Sequence, residues 1–163
     1  MSAIEIWRRA GETGDPQAAV RALGDGAELV SPFTERFVFR GPEEVEVLLT
    51  AVFSVVSGFR YEHEIRDGSA ALLVARARVR GVDLHEMQHL ELEADGRIRR
   101  ITLAMRPLTA ITALARELGP VLARAHGRPG AARTLRVTAA LLDAVASTGE
   151  RRFIPLAAPP RRG

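Results

Sequence analysis

Two polar side chains fall on the apolar face of one predicted strand, and they are the first candidates for chemistry. Residues 84–92 read LHEMQHLEL, and strand side chains alternate between two faces. One face therefore carries Leu84, Glu86, Gln88, Leu90 and Leu92. A polar group among apolar neighbours needs a hydrogen-bonding partner, or it faces a cavity in which water or a ligand supplies one. Gln88 is thus a ligand-orienting or a structural amide, and Glu86 is a pocket acid or a solvated group at the strand end.

His63 is the candidate for proton transfer, because a histidine changes charge near neutral pH. In residues 59–66 aromatic or apolar side chains alternate with charged ones, which predicts a strand. Its inward face would carry Phe59, Tyr61, His63 and Ile65. His63 is then either a general acid or base, or a hydrogen-bonded structural histidine. Tyr61 either donates its hydroxyl to a substrate oxygen or packs in the core with the hydroxyl at the rim.

No metal site is expected, although Asp83, His85 and His89 are residue types that bind metals. His85 and His89 are four residues apart, which in a strand separates them by about 13 Å, too far for one ion. They fit better on the outer face of the sheet, together with Met87, where a partner subunit can cover them. We therefore expect a homodimer through the outer sheet face, and no metal or cofactor.

Arginines of the preceding strand project from the same outer face, at positions 76, 78 and 80. They alternate without the aromatic platform on which single-stranded nucleic acid stacks. The net charge of the chain is only +3, and such a small excess gives weak support for a nucleic-acid partner. We expect no nucleic acid to bind here.

The composition excludes several classes of protein. The chain has 163 residues, enough for one domain with a core. It contains no cysteine, which excludes disulfides and thiolate chemistry, and no lysine, which excludes a Schiff base or a P-loop. No apolar run approaches the roughly 20 residues that cross a membrane, and the N-terminus shows no basic segment followed by an apolar one. We expect a cytoplasmic protein without a signal peptide or a membrane partner.

Helices and strands follow in an order that can position these side chains. The predicted elements are a helix at 2–12, a helix at 16–23, strands at 27–31 and 36–40, a helix at 41–56, strands at 59–66 and 70–80, and a hairpin at 84–106. Trp7 lies on the apolar side of the first helix. An Asp95-Gly96 turn marks the hairpin, and Pro107 ends the sheet.

Two further helices are predicted after Pro107, at 108–125 and 131–147. The apolar stripe of the first consists of Leu108, Ile111, Leu114, Leu118, Val121 and Leu122. The inward positions of the second are expected to be Leu135, Thr138, Leu142 and Val145. We expect residues 108–150 to form a helical extension packed on the same domain, which either closes the pocket or extends a dimer interface. Residues 151–163 are rich in proline and arginine and are expected to form a flexible tail.

Several sequence pieces in this order resemble the nuclear transport factor 2-like superfamily, including the SnoaL-like polyketide cyclases and ketosteroid isomerase. They are TGDP (13–16), AELVSP (27–32), FRGPEE (39–44), LELEADGRIRRI (90–101) and the closing RP (106–107). The resemblance implies an α+β domain over residues 1–107, in which a cone-shaped, curved and mostly antiparallel sheet wraps around helices. It also implies a cavity for a small apolar molecule, and often a homodimer.

The resemblance also places residues in the cavity, with departures from the isomerase pattern. Trp7 stands where ketosteroid isomerase-like members carry a tyrosine, and Ser31 and Gln88 stand where they carry acids. Ser31 has no neighbouring base and Gln88 does not titrate, so these departures count against the isomerase chemistry. We expect the substrate-binding residues to be Trp7, Ser31, Phe33, Tyr61, Glu86 and Gln88, with His63 as the catalytic residue.

Three functions remain open from the sequence. The first is a cofactor-independent enzyme of cyclase, isomerase or dehydratase type, acting on an apolar, natural-product-like substrate. The second is a non-catalytic protein that binds a ligand in the same cavity. The third is an interaction protein whose outer sheet face pairs with a second copy or a partner.

Overall fold

A curved six-stranded sheet forms one wall of the molecule, and helices cover its concave face. The computed structural model describes residues 1–159. The elements in chain order are α1 (Ala3–Thr13), α2 (Pro16–Val20), β1 (Leu23–Val30), β2 (Val38–Arg40), α3 (Gly41–Val55), β3 (Val56–Asp67), β4 (Ala70–Val79), β5 (Val82–Leu92), β6 (Ile98–Arg106), α4 (Leu108–Ala125) and α5 (Pro129–Arg152). This confirms the predicted α+β cone and its two additional helices.

The strand order in the sheet is β2-β1-β6-β5-β4-β3. All neighbours pair antiparallel except β1 and β6, which pair in parallel. The sheet is therefore mostly antiparallel, as predicted. Its register places Gln88 opposite Leu73 on one side and Leu103 on the other, so all three side chains point to the concave face.

Local sequence signals set the ends of the first helices. Ser2 Oγ accepts a hydrogen bond from the backbone of Glu5, and the Glu5 carboxylate accepts one from the backbone of Ser2, which forms a capping box. Gly14 ends α1 with a left-handed φ of 67°. Asp15 caps α2. This helix ends at Val20, and Leu23, predicted to be helical, begins β1 instead.

Strand β3 contains two irregularities, and the second changes which side chains face inward. Tyr61 pairs with Ala75, but His63 pairs with Val74, so one extra residue lies in β3 between these pairs. Such a bulge exchanges the two faces of the strand beyond it. Tyr61 is buried, whereas His63 and Ile65 are exposed on the outer face. The prediction that both face inward is therefore wrong.

Helix α4 belongs to the core, because Ala110, Leu114 and Leu118 are buried in the same cluster as the sheet residues. Leu108, at its first position, is exposed instead of inward. The rest of the core comes from α1, α2 and α3 and from the concave face of the sheet. Its largest fully buried side chains are Leu29, Val45, Leu73, Val79, Leu84, Leu90, Ile98, Ile101 and Leu114.

Helix α5 packs on α4 through small residues and one acid. Ala132 and Asp143 are buried, and Asp143 accepts hydrogen bonds from Thr112 Oγ1 and Arg116 Nη1, each at 3.1 Å. The predicted inward stripe is wrong, since Leu135, Thr138, Leu142 and Val145 are all exposed. The helix has an apolar stripe, but the side that faces α4 is the one that carries Asp143.

The helix also continues past Gly149, where the sequence predicts its end, to Arg152. A 3-10 turn follows at Ile154–Ala157, so the first part of the predicted flexible tail has secondary structure. Residues 160–163 of that tail lie outside the described residues. Within residues 1–159, no helix is long and apolar enough to cross a membrane.

Paired leucine substitutions test the orientation of the two C-terminal helices. Leu114 is 2% exposed and Leu142 is 55% exposed. We expect Leu114→Ala to lower the free energy of unfolding by about 2–5 kcal/mol, because it removes buried methyl groups and leaves a cavity. Leu142→Ala should change it by less than about 0.5 kcal/mol. Urea denaturation measures both values, and a large loss in the Leu142 variant would contradict the outward orientation of α5.

Candidate functional site

A cavity of about 910 Å³ lies between the concave face of the sheet and the helices. Its walls are mainly apolar, with contributions from α3, β6 and α4 that include Leu49, Val52, Leu103, Met105 and Leu118. Four residues at the inner end are buried and carry polar atoms: Trp7, Tyr61, Glu86 and Gln88. The other charged lining residues are exposed and mark the mouth: Glu43, Glu44 and Arg128.

Gln88 connects the polar groups of the inner end. Its Oε1 accepts a hydrogen bond from Trp7 Nε1 at 2.8 Å and another from the Tyr61 hydroxyl at 3.0 Å. Its Nε2 donates to Glu86 Oε1 at 2.5 Å. The orientation of the amide follows from these partners, because an indole nitrogen can only donate. The oxygen must therefore face Trp7, which turns the NH₂ group towards Glu86.

The Glu86 carboxyl is buried, and burial raises its pKa from 4.5 to about 7. The hydrogen bond from Gln88 acts in the opposite direction, because it stabilises the charged form. Oε2 has no hydrogen-bond partner among the described residues, yet it is not fully enclosed, so it faces the cavity that Glu86 lines. The inner end thus presents one carboxyl oxygen that can give or take a proton near neutral pH.

Tyr61 remains a hydrogen-bond donor in this site. Burial, and next the charge of Glu86, raises the pKa of its hydroxyl well above the ordinary value of 10. The phenol therefore keeps its proton at any ordinary pH. It donates that proton to Gln88 Oε1, and the same oxygen is also held by Trp7.

Helix α1 holds Tyr61 from the other side. Gly11 lies one turn after Trp7, and a Cβ atom there would be 3.1 Å from the Tyr61 hydroxyl oxygen, closer than side chains normally approach. Glu12 Oε1 accepts the backbone N–H of Tyr61 at 3.0 Å. The glycine lets the ring lie against the helix, and the acid satisfies a donor of the edge strand β3.

Many solved structures resemble this chain, among them the following three. A steroid delta-isomerase from Pseudomonas aeruginosa matches with a TM-score of 0.69 and 26% identity, over 77% of this chain and 92% of that one. A nuclear transport factor 2-like protein of unknown function from Cytophaga hutchinsonii matches with a TM-score of 0.53 and 17% identity, over 64% and 88%. A putative polyketide cyclase from Sinorhizobium meliloti matches with a TM-score of 0.52 and 19% identity, over 62% and 92%.

The chain has the nuclear transport factor 2-like fold. No protein-family model matches the sequence, and no curated protein is detectably similar to it. The matches cover most of each neighbour but leave a quarter or more of this chain unaligned in two of the three. This chain therefore carries residues that those two proteins lack.

Within this fold, the structure brings together four of the expected site residues, Trp7, Tyr61, Glu86 and Gln88. The solvated alternative for Glu86 is wrong, because its side chain is only 6% exposed. Ser31 and Phe33 also line the cavity, and the Ser31 hydroxyl accepts the backbone N–H of Phe33 at 3.1 Å.

His63 is not part of the cavity wall, because the bulge in β3 turns it to the outer face. His85 is also outside the wall. No group of three or more histidine and acidic side chains in residues 1–159 is arranged to hold a metal ion. Glu86 therefore faces the cavity, and His63 does not.

Sequence reasoning missed two contributions to the site. The first is Gly11, which lies four residues after Trp7 on the same helix face. This spacing is present in the sequence and indicates that another side chain can approach the helix closely at Gly11. The second contribution is the set of residues at the mouth, where His126 and Arg128, between α4 and α5, and Leu135 of α5 line the cavity. No local pattern predicts it, because it depends on where α5 folds back.

The raised pKa of Glu86 predicts how stability changes with pH. The unfolded chain loses this proton near pH 4.5 and the folded chain near pH 7. The contribution of protonated Glu86 to the free energy of unfolding is therefore fully present at low pH. It decreases by about 3 kcal/mol in total as the pH rises between these two values. Urea unfolding at about pH 4 and about pH 8 measures this difference.

Glu86→Gln is the matched control, because glutamine has no proton to lose. The difference between the two pH values should shrink by about 3 kcal/mol relative to the wild type. Other titrating groups affect both proteins equally. An identical pH dependence in the variant would show that Glu86 has an ordinary pKa.

Proposed function

We propose that this protein is a cofactor-independent enzyme that transfers a proton within an apolar small molecule, as in an isomerisation, with Glu86 as the acid–base group. The observation that carries the proposal is a single carboxyl, with a pKa of about 7, at the inner end of an apolar cavity. A general base works best when its pKa lies near the working pH. The structural similarity to a steroid delta-isomerase supports the same class of reaction.

The proposed step moves one proton and rearranges one double bond. Ionised Glu86 removes a proton from the carbon between the carbonyl and the double bond of a β,γ-unsaturated ketone, and the electron pair moves into an enolate. Protonated Glu86 then returns the proton to the γ carbon, which gives the conjugated ketone. No atom is gained or lost, so no cofactor is needed.

Tyr61 and Trp7 have different roles in this step. The Tyr61 hydroxyl can turn from Gln88 Oε1 to the ligand oxygen, because Trp7 still supplies a donor to that amide oxygen. Gln88 Nε2 donates to Oε1 of the Glu86 carboxyl and holds it in place. Oε2 of the same carboxyl is left for the substrate. In general, preorganised hydrogen-bond donors stabilise a developing oxyanion strongly when water is excluded from the site.

A non-catalytic ligand-binding protein is the second candidate, and the closed hydrogen-bond network favours it. Both donors of the inner end already bind Gln88, so a ligand must compete for them. Such a network serves equally well to stabilise a polar group that lies inside an apolar cavity.

The proposal includes a homodimer through the outer sheet face, in the cytoplasm. Ile65 and Met87 are exposed there, and apolar residues on a sheet face are commonly covered by a partner. The absence of cysteine is compatible with a reducing compartment. Analytical ultracentrifugation of the wild type and Met87→Asp tests this part separately.

Turnover of a steroid β,γ-unsaturated ketone, followed by the ultraviolet absorbance of the conjugated product, tests the proposed reaction. We expect Glu86→Gln to lower kcat/KM by about 100-fold or more, because the base is lost. His63→Ala is the control and should retain wild-type turnover, since His63 lies on the outer face. If the wild type binds the ketone without converting it, the binding candidate replaces the enzyme.

The pH dependence of this turnover gives a second test. Because Glu86 must be ionised to accept a proton, kcat/KM should rise with pH through an apparent pKa of about 7. Initial rates across the pH range give the profile. A profile that is flat there, or one that falls with increasing pH, would contradict the assignment of Glu86 as the base.

A further inference from the structure

Helix α5 leaves an apolar face uncovered. Five side chains of this face are between 40% and 68% exposed: Leu135, Val137, Leu141, Leu142 and Val145. At 3.6 residues per turn they fall within an arc of about 160°. After the helix, Phe153, Ile154 and Leu156 continue the exposed apolar surface, at 64% to 81%. We call these eight residues the α5 face.

The part of the sequence that contains this face has an excess of positive charge. Residues 124–163 contain eight arginines and two acids, whereas residues 1–123 contain fifteen arginines and eighteen acids. One of the two acids, Asp143, is buried against α4, where it binds Arg116. Arg133 is exposed beside the apolar arc near its start, and Arg151 and Arg152 are exposed near its end.

The α5 face reaches the mouth of the cavity. Leu135 belongs to the face and also lines the cavity, together with Ala139 on the next turn. Phe33 and Phe37, in the connection between β1 and β2, also line the cavity and are 40% and 56% exposed. Exposed apolar side chains from two parts of the chain therefore line the cavity.

We propose that the α5 face docks on the surface of a lipid bilayer that contains anionic lipids. A helix with a broad apolar face and flanking arginines lies in the plane of the interface, with its apolar side chains among the acyl chains and its cations at the headgroups. Such docking needs no membrane-spanning segment. The proposed docking departs from the expectation of no membrane partner, which was based on the absence of a spanning segment.

Charge decides between a bilayer and a second copy of the chain. A symmetric dimer through the α5 face would bring the arginines of two C-terminal segments together, and like charges at an interface oppose association. An anionic bilayer instead attracts the same arginines. The charge pattern of the face therefore matches lipid.

Docking in this way would place the mouth of the cavity at the bilayer. An apolar ligand dissolved among the acyl chains could then enter past Leu135, Phe33 and Phe37 without crossing water. This part rests on the proposed function, because it requires that the cavity bind an apolar ligand. The docking itself does not.

Vesicle flotation of the full chain tests the proposal. The probes are vesicles of phosphatidylcholine alone and of phosphatidylcholine mixed with phosphatidylglycerol. We expect the wild type to float with the anionic vesicles, to bind the neutral ones weakly, and to be released by salt, because salt screens the arginines. Arg133→Gln combined with Arg151→Gln should weaken binding to the anionic vesicles by about thirtyfold.

Val145→Asp and Ile65→Asp form a matched pair, with wild-type side chains 62% and 61% exposed. Val145→Asp places a charge in the α5 face and should abolish flotation, whereas Ile65→Asp changes the outer sheet face and should float like the wild type. A wild type that does not float, or a Val145 variant that floats normally, overturns the proposal. A further outcome also overturns the proposal: the wild type is a dimer, Val145→Asp is a monomer, and neither protein floats. That result would assign the α5 face to a second copy of the chain.

Flotation and turnover separate the two proposals. Glu86→Gln should float like the wild type, because Glu86 lies at the inner end of the cavity. Flotation of a wild type that converts no ketone leaves the docking intact and removes the proposed reaction. Turnover by a wild type that does not float removes the docking and leaves the proposed reaction intact.

Discussion

The buried amide of Gln88 is the interaction on which the site depends. It accepts from α1 through Trp7 and from β3 through Tyr61, and it donates to Glu86 on its own strand. Three elements are thereby fixed around one side chain. Each partner is buried, so the loss of the amide would leave the indole, the phenol and the carboxyl without their bonds, and unsatisfied buried groups are costly. The amide therefore determines both the shape and the electrostatics of the inner end.

The strands that obey strict alternation were predictable from the sequence. In β5 the period of two places Leu84, Glu86, Gln88 and Leu90 on one buried face, as the structure shows. The turn and capping residues likewise predict most element ends. His63 was misplaced because a bulge adds one residue to β3, and no residue type in that segment marks the bulge. Alternation predicts a face only while the register holds.

The C-terminal helices show a different limit of sequence reasoning. In α5 the apolar stripe through Leu135 and Leu142 is as regular as a buried one, but the helix packs through Ala132 and Asp143. An amphipathic pattern identifies two faces and does not identify which one has a partner. The decisive contacts, from Thr112 and Arg116 to Asp143, join residues about thirty positions apart. The apolar pattern of a single helix cannot predict such contacts between two helices.

The parallel pairing of β1 with β6 sets an order of events for a chain leaving the ribosome. Glu28 and Arg100 face each other across this pair and are 72 residues apart. While the first hundred residues emerge, β1 and β2 have each other and helix α3, which packs on both strands, but no sheet to join. The strands β3 to β5 pair locally and can form earlier, since short loops close more easily than long ones. The nascent chain consequently has no cavity until β6 has been made, and a ligand cannot assist any earlier step of folding.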